Sequence, residues 1–246
     1  MNSLPAYFFS DAHLGANPPG AISSREEILV RFLRSLVGKA SHVFLVGDLF
    51  EFWYEYRHYV ARGHFPLYRV LGDLSDFGAE VHLLMGNHDF ALEDFFPREL
   101  GVRVHRHFVC ENLQGHNVFL MHGDGIPGSD RGYRLARKIL DARISRFLFR
   151  KIHPDLGMDI ARFVGNGSRA AGKNREIDIG EYLEAAGLKM RENGCDICVH
   201  GHHHIPGIWD VPEGKVVSPG QWLFELCYAK MENGEISVSH FSEGKK

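Results

Sequence analysis

Five short apolar runs organise this chain, and a polar segment, usually containing a glycine, follows each of them directly. The runs have the length and composition of β-strands and cover residues 7–10, 42–46, 81–85, 118–121 and 196–199. Open α/β sheets bind ligands outside the carboxyl ends of their strands. The pattern therefore predicts an α/β fold in which the five polar segments converge on one crevice.

The polar segments carry carboxylate, imidazole and amide groups. They are Asp11-Ala12-His13, Gly47-Asp48, Gly86-Asn87-His88-Asp89, His122-Gly123-Asp124 and Gly201-His202-His203-His204. Two metal ions roughly 3.5–4 Å apart can activate a water molecule and neutralise phosphoryl charge in phosphate ester hydrolysis. Such a pair needs a carboxylate that bridges both ions, and Asp48 is the natural candidate. We predict a two-metal, phosphoester-cleaving site.

Other histidines and the cysteines are interpreted more simply. His42, His82 and His116 are expected to be structural or surface residues, whereas His200 or His203 could orient a metal-bound imidazole. The four cysteines, Cys110, Cys195, Cys198 and Cys227, do not form a disulfide framework in a chain of this size. The formal CxxC motif at 195–198 lies on a predicted strand, which favours buried structural thiols.

Composition agrees with a globular enzyme. With 246 residues and 44% hydrophobic content, the chain can bury a full core as one large α/β domain or as a domain with an insertion, and we expect the second. We find no apolar run of about 20 residues that could span a bilayer. Residues 1–5 lead straight into the first strand without a signal peptide, which predicts a cytoplasmic or peripheral protein.

Helices are predicted between the strands. Ser24 and Glu27 form a capping box before apolar residues at helical spacing, and further helices are predicted over 58–77 and 176–193. The tail over 205–241, with turns at Glu213-Gly214 and Asn233-Gly234, is expected to form antiparallel strands that complete a second sheet.

The segment 131–165 departs from this alternation. It carries nine Lys or Arg residues and three Asp, in a chain with a net charge of −3. Apolar residues interleave with the basic ones at helical spacing, which suits a surface rich in anionic lipid. A structural cap with a solvated basic face is equally consistent with the pattern. Nucleic acid binding is disfavoured because the rest of the chain is acidic.

The five motifs together resemble the calcineurin-like metallophosphoesterase superfamily. Residues 47–53, 86–90 and 122–125, with the basic insertion after Asp130, are similar to the UDP-2,3-diacylglucosamine pyrophosphatases (LpxH-like) of lipid A synthesis. The resemblance implies a layered sandwich of two β-sheets flanked by helices. It also implies one domain over 1–246 with a helical cap inserted at about 128–175.

The same resemblance implies a ligand set. One ion is expected on Asp11, His13, Asp48 and His204, and the other on Asp48, Asn87, His122 and His202. Ligand type is compatible with manganese, iron or zinc, and the resemblance favours two Mn²⁺ ions.

The resemblance further implies attack of a metal-bridging hydroxide on the α-phosphorus of UDP-2,3-diacylglucosamine, which yields UMP and 2,3-diacylglucosamine 1-phosphate (lipid X). His88 and Asp89 are the expected catalytic pair, although well-known members have Arg at the position of His88. The expected substrate-binding residues are Asp130, Tyr133, Ser168 and Arg175. The expected location is the cytoplasmic face of the inner membrane, and the expected partner is the nucleotide-lipid substrate. Alternatives are a general nucleotide or phosphodiester hydrolase and, disfavoured by the intact ligand set, a non-catalytic scaffold.

Overall fold

Two β-sheets lie face to face in the computed structural model, which describes residues 4–89, 91–124, 126, 147–157, 159–160 and 178–242. The first sheet has six strands in the order β11-β10-β1-β2-β3-β4. Its strands are β1 (Ala6–Phe9), β2 (His42–Val46), β3 (Glu80–Leu84), β4 (Arg103–His105), β10 (Cys227–Glu232) and β11 (Glu235–His240). Strands β1 to β4 are parallel, and the β10–β11 hairpin joins antiparallel to β1.

The second sheet has five strands in the order β5-β6-β7-β9-β8. They are β5 (Phe108–Leu113), β6 (His116–Met121), β7 (Ile197–His200), β8 (Gly207–Val211) and β9 (Gly214–Ser218). Its central strands β6, β7 and β9 are parallel, whereas β5 and β8 pair antiparallel at the edges. The carboxyl ends of β6 and β7 therefore lie at one edge of this sheet.

Period-two alternation divides the apolar side chains between two faces of each sheet. Phe8 and Phe44 point between the sheets, where their rings stack with centroids 5.1 Å apart, and Val199 packs there from the second sheet. Phe9 and Leu45 point to the opposite face of the first sheet. This alternation gives the first sheet two buried faces.

Helices cover the outer faces. On the first sheet lie α1 (Arg25–Leu36), α2 (Phe65–Asp76) and the short α3 (Phe95–Leu100), whose buried residues join one core cluster with the sheet. On the second sheet lies α4 (Ile179–Asn193), and Ala186 and Met190 pack there against Phe119 and Cys198. A four-residue helix, α5 (Trp222–Glu225), precedes β10. The layered sandwich predicted from the resemblance is confirmed.

The five predicted strands are present, each within two residues of its expected bounds. Helix α1 begins directly after Ser24 as predicted, but the Ser24 side chain makes no capping hydrogen bond. The helix predicted over 58–77 starts too early, because α2 begins at Phe65 after a single 3₁₀ turn over Arg62–His64. Pro66 lies in the first turn of α2, where the helix does not need the N–H group that proline lacks. If the helix began further upstream, Pro66 would lie in its interior, where that N–H would be needed for a hydrogen bond.

The tail forms antiparallel strands, but the prediction that they all complete the second sheet is wrong. Hairpin β8–β9 joins the second sheet, whereas β10 pairs with β1 of the first, with Ala6 opposite Met231. Ala229 and Met231 thereby continue the apolar layer between the sheets. The turn at Asn233-Gly234 is correct, with φ of 54° and 82°, as a two-residue hairpin turn requires.

Most of the predicted cap at 128–175 falls outside the described residues, which include only 147–157 and 159–160 of it. Within the described ranges, we find no helix that is both long and apolar enough to cross a bilayer.

Candidate metal centre

Loops from both sheets meet at the carboxyl ends of their strands. The first sheet supplies Asp11 and His13 after β1, Asp48 after β2 and Asn87 after β3. The second sheet supplies His122 after β6, and His202 and His204 after β7. The structure thus brings together all seven side chains that the sequence nominated as ligands, and the site spans the seam between the two sheets.

One group of donor atoms comprises Asp11, His13 and His204, which lie within 4.8 Å of one another. Nε2 of His204 is 3.1 Å from Oδ1 of Asp11. Nε2 of His13 is 3.8 Å from the same oxygen. Asp11 and His13 are fully buried, and Nε2 of His13 has no hydrogen-bond partner among the described residues. A buried imidazole nitrogen that faces a carboxylate without bonding it fits a cation between them.

The second group comprises Asp48, His122 and His202, with Asn87 beside them. Oδ1 of Asn87 is 3.2 Å from Nε2 of His122 and 3.1 Å from Nδ1 of His202. Nδ1 of His122 lies 2.9 Å from the carbonyl of Val46 and donates to it, which directs Nε2 into the site. Amide oxygen, imidazole and carboxylate without thiolate suit a divalent ion such as manganese, iron or zinc.

Asp48 lies between the two groups. Its Oδ2 is 3.8 Å from Nε2 of His13 and 3.4 Å from Nε2 of His122. Its Oδ1 accepts the backbone N–H of His88 at 2.9 Å. A Cβ on Gly86 would lie 2.0 Å from that oxygen, so a glycine is required for this approach. The geometry is that of a carboxylate shared by two cation sites.

Burial and neighbouring charges set the protonation of this cluster. Burial alone would raise the pKa of Asp48, but the imidazoles of His122 and His88 hold it well below its usual range. Burial lowers the pKa of His202 to about 4. Burial also opposes protonation of His122, but Asp48 raises the pKa of that ring well above its usual value.

The backbone is left-handed at five of these residues. The φ angles of Asp11, His13, Asp48, His202 and His204 lie between 43° and 72°. Asp and His are among the non-glycine residues that tolerate this region best, although it remains strained. The two residue types that the ligand chemistry requires are thus also suited to the turns that present them.

Arg25, at the start of α1, holds the first ligand loop in place. Its buried guanidinium donates to the carbonyls of Ala12 at 3.1 Å and His13 at 2.9 Å, and also to that of Ala16. Trp222 Nε1 donates in turn to the Arg25 carbonyl at 2.9 Å. Sequence reasoning missed this residue because its partners are backbone carbonyls, which every residue has, so the pattern of side chains does not identify them.

Glu51 is a second residue whose role sequence reasoning missed. Its Oε2 lies 3.2 Å from Nδ1 of His13 and 3.5 Å from Nδ1 of His88. The His88 ring also donates from Nδ1 to the Glu51 carbonyl at 2.8 Å. The sequence feature that could have indicated this role is a single carboxylate within the aromatic run over 50–54, three residues after Asp48.

Asp89 does not support His88 as expected. Its fully buried carboxylate accepts backbone N–H groups of Gly86 at 2.7 Å and Leu49 at 2.8 Å, and those of Asp48 and Phe50 more weakly. Burial and the nearby Asp48 raise the pKa of Asp89 to about 6. The residue ties the loop after β3 to the loop after β2, and the predicted supporting role beside His88 falls to Glu51.

His200 and His203 form a buried aromatic layer under the last ligand loop. Their rings are 4.7 Å apart, and Tyr182 of α4 stacks on His200 with centroids 5.7 Å apart. Nδ1 of His203 accepts the backbone N–H of Ile205 at 3.0 Å. These contacts orient the loop that carries His202 and His204.

The predicted substrate-binding residues Asp130, Tyr133, Ser168 and Arg175 lie outside the described residues. The described part of the insertion contacts the core through Phe149, whose ring lies 4.5 Å from that of Tyr54 and 5.7 Å from that of Phe52. Arg150 forms an ion pair with Glu93. A cavity of about 1360 Å³ lies beside these contacts, with Phe147 and Arg150 on one wall.

The remaining sequence predictions concern isolated residues. His82 is fully buried and His42 partly so, at positions remote from the ligand loops, in agreement with structural roles. The four cysteines, all within the described part of the chain, are free thiols; Cys195 and Cys198 are buried as expected.

Fold and site together define a metal-dependent phosphoesterase. The calcineurin-like phosphoesterase family model matches residues 4–206, and the chain belongs to that family. The chain is 34% identical to a UDP-2,3-diacylglucosamine hydrolase of Porphyromonas gingivalis, over 91% of this chain and 92% of the relative. It is 31% identical to a protein of the same name from Aeromonas hydrophila, over 89% and 91%.

A solved structure supports the fold. Vacuolar Protein Sorting 29 from Cryptosporidium parvum matches with a TM-score of 0.50 at 14% identity, over 99% of this chain and all of that one. At this level of identity the likeness concerns architecture alone.

Proposed function

We propose that the chain hydrolyses the diphosphate bond of UDP-2,3-diacylglucosamine, releasing UMP and 2,3-diacylglucosamine 1-phosphate. The proposal rests on relatives named UDP-2,3-diacylglucosamine hydrolase, which are about 30% identical to this chain over most of its length. The fold also brings together all seven nominated ligands. The proposal treats 1–246 as one domain with a cap inserted at about 128–175.

Asp11, His13, Asp48 and His204 would hold one ion, and Asp48, Asn87, His122 and His202 the other. When bound, two such ions supply an activated water and neutralise charge on the phosphoryl oxygens. We assign Mn²⁺ by resemblance, since the donor set also suits iron and zinc. The unbonded Nε2 of His13, buried between two carboxylates, supports a cation at this position, whichever metal it is.

His88 is proposed as the proton donor or hydrogen-bond donor at the scissile phosphate. Glu51 engages the ring at Nδ1, so Nε2 is the atom left for substrate. The ring also meets that of His13 edge to face, with centroids 4.8 Å apart. An imidazole held this way can protonate the leaving phosphate or bind a non-bridging oxygen. Asp89 acts indirectly, by fixing the loop that carries His88.

Asp130, Tyr133, Ser168 and Arg175 remain the proposed contacts to the glucosamine phosphate, by family resemblance. A charged guanidinium at Arg175 would bind phosphate, and Asp130 would accept from a sugar hydroxyl or amide.

The described part of the insertion carries an exposed apolar surface beside basic residues. Phe147, Leu148 and Leu156 are each more than half exposed, and Arg150 and Lys151 lie among them in sequence. A basic and apolar surface of this kind binds anionic lipid. It supports the proposal that the protein works peripherally at the cytoplasmic face of the inner membrane, where its lipid substrate resides.

The test of the proposed function is UMP release by the Mn²⁺-loaded protein. We expect UDP-2,3-diacylglucosamine to be cleaved far faster than bis-p-nitrophenyl phosphate or cyclic nucleotides. Comparable rates on all three would identify a general phosphodiesterase instead. Absence of hydrolysis on every substrate, with both ions bound, would favour the scaffold alternative.

A variant separates lipid recognition from chemistry. Phe147→Asp removes an exposed apolar side chain of the insertion, and we expect a higher KM for the acylated substrate with unchanged cleavage of a soluble diester. Phe77→Asp is the matched control, since Phe77 is 69% exposed after α2. Phe149 is unsuitable for this test because its ring packs on the core. Equal losses on both substrates would make the insertion purely structural.

A further inference from the structure

Three side chains with metal-binding chemistry meet on the first sheet, outside the two-metal centre. Glu225 ends α5, Cys227 begins β10, and His240 ends β11 directly opposite Cys227. Their donor atoms lie within 4.8 Å of one another. Cys227 is fully buried, whereas Glu225 and His240 are exposed. The cluster therefore opens to solvent on one side only.

Two of the three distances between donor atoms are close to those around a tetrahedral ion. Sγ of Cys227 is 3.2 Å from Nδ1 of His240 and 3.5 Å from Oε2 of Glu225. Zinc binds thiolate sulfur at about 2.3 Å and imidazole nitrogen at about 2.1 Å, which places two such donors about 3.5 Å apart at tetrahedral angles. The three side chains need little movement to share one ion.

The backbone around the cluster is well braced. Cys227 donates its N–H to the Gln221 carbonyl at 3.2 Å, and Phe241 donates to the Leu226 carbonyl at 2.9 Å. The cross-strand pairing of Cys227 with His240 keeps the two side chains on one face of the hairpin. The ligands are thus held by paired strands.

Thiolate catalysis is the competing use of a Cys–His–Glu group. Burial, with the adjacent Glu225 carboxylate, raises the pKa of Cys227 to about 12. A buried thiol of this kind is a poor free nucleophile. Its position, enclosed beneath the other two side chains, suits an ion ligand better than attack on a substrate.

We propose that Glu225, Cys227 and His240 form a separate zinc site with a solvent molecule in the fourth position. Helix α5 also contacts the ligand loop after β1, since Leu223 donates its N–H to the Asp11 carbonyl at 3.2 Å and Trp222 donates to that of Ser10 at 3.1 Å. An ion that ties α5 to β10 and β11 braces the loop carrying the first catalytic ligand.

The test uses Co²⁺ as a spectroscopic substitute for zinc in the Mn²⁺-loaded protein of 246 residues. We expect a near-ultraviolet thiolate-to-cobalt charge-transfer band that rises to a plateau as Co²⁺ is added and disappears when zinc is added. The two-metal centre cannot give this band, since its seven nominated ligands include no thiolate. The readout is therefore independent of hydrolysis and of the proposed function.

Cys227→Ser should abolish the band, and Cys198→Ser, a matched buried thiol, should retain it. If Cys227→Ser does not fold, His240→Ala removes an exposed ligand and should weaken zinc binding at least tenfold by competition titration. Zinc should also raise the Tm of the Mn²⁺-loaded wild type more than that of either ligand variant. The proposal would be overturned if the wild type gave no band or if Cys227→Ser kept it. Loss of the band in Cys195→Ser, a variant of another buried thiol, would also overturn it.

Discussion

The Glu51 carboxylate lies 3.2 Å from Nδ1 of His13 and leaves Nε2 of that ring facing the carboxylates of Asp11 and Asp48. When one ring nitrogen of a histidine binds a metal, a hydrogen-bond acceptor at the other nitrogen fixes the orientation and tautomer of the ring. Mutation of such an acceptor typically lowers metal affinity or activity by about 10–100-fold. Glu51 is also within 3.5 Å of His88. One carboxylate thus serves both a nominated ligand and the nominated proton donor.

Glu51→Gln should lower kcat/KM by about 10–100-fold while leaving the fold intact, because the amide keeps the shape and loses the charge. The measurement is steady-state hydrolysis at saturating Mn²⁺, alongside the Tm. Glu55→Gln is the matched control. Glu55 is similarly buried, but it accepts backbone N–H groups at the start of α3, so its variant should lose stability and keep kcat. Wild-type kcat/KM in Glu51→Gln would remove the assigned role.

Arg25→Met should lower the free energy of unfolding by about 3 kcal/mol, since it leaves several buried carbonyls without their charged donor. Activity at saturating Mn²⁺ should fall as well, because the loop of Asp11 and His13 loses its support. Urea unfolding and hydrolysis rates check both effects. Arg34→Met, on the exposed side of the same helix, should change neither. Unaltered stability and hydrolysis rate in Arg25→Met would contradict the bracing role.

Removal of the ions should lower the Tm, because donors from both sheets lose the cations that join them. An ion at 100 times its Kd stabilises a folded protein by about 2.7 kcal/mol. Chelation followed by addition of Mn²⁺ should reverse the loss in wild type and in Asp210→Asn, an exposed control. In Asp48→Asn the Mn²⁺-dependent rise should be absent. Its persistence there would argue against a bridging carboxylate.

Acid should destabilise the protein through His82, which lies far from the metal centre. Burial, reinforced by His105, lowers the pKa of His82 to about 3. The carboxylates of Glu80 and Glu111 each lie 3.8 Å from its ring, and burial still dominates the pKa of His82. A folded-state pKa below the unfolded value means that the unfolded chain binds the proton first. Stability from the neutral ring is complete above about pH 6.5 and falls as the pH drops toward 3.

His82→Leu should therefore flatten the decline in unfolding free energy between about pH 7 and pH 5. Urea titrations at several pH values measure the slope. His58→Leu replaces an exposed histidine and should keep the wild-type slope. An unchanged slope in His82→Leu would show that other groups dominate the acid response.

The ligand positions could be predicted from local sequence because each ligand segment directly follows an apolar strand. For Asp48 and His122, the length of the preceding strand and a neighbouring glycine were sufficient. The partner sheet of β10 was not predictable this way, since its pairing with β1 joins residues more than 200 positions apart. Arg25 and Asp89 escaped functional interpretation for a related reason: both bind backbone groups of distant loops, and alternation of residue types carries no record of such contacts.

The left-handed backbone at five nominated ligands has an evolutionary consequence. Each such non-glycine residue costs roughly 1 kcal/mol of folding free energy, and none of that cost improves packing. A lineage released from hydrolysis would gain thermal robustness by relaxing these positions. Higher thermal stability in an inactive descendant would then measure the backbone strain that metal binding imposes on the active protein.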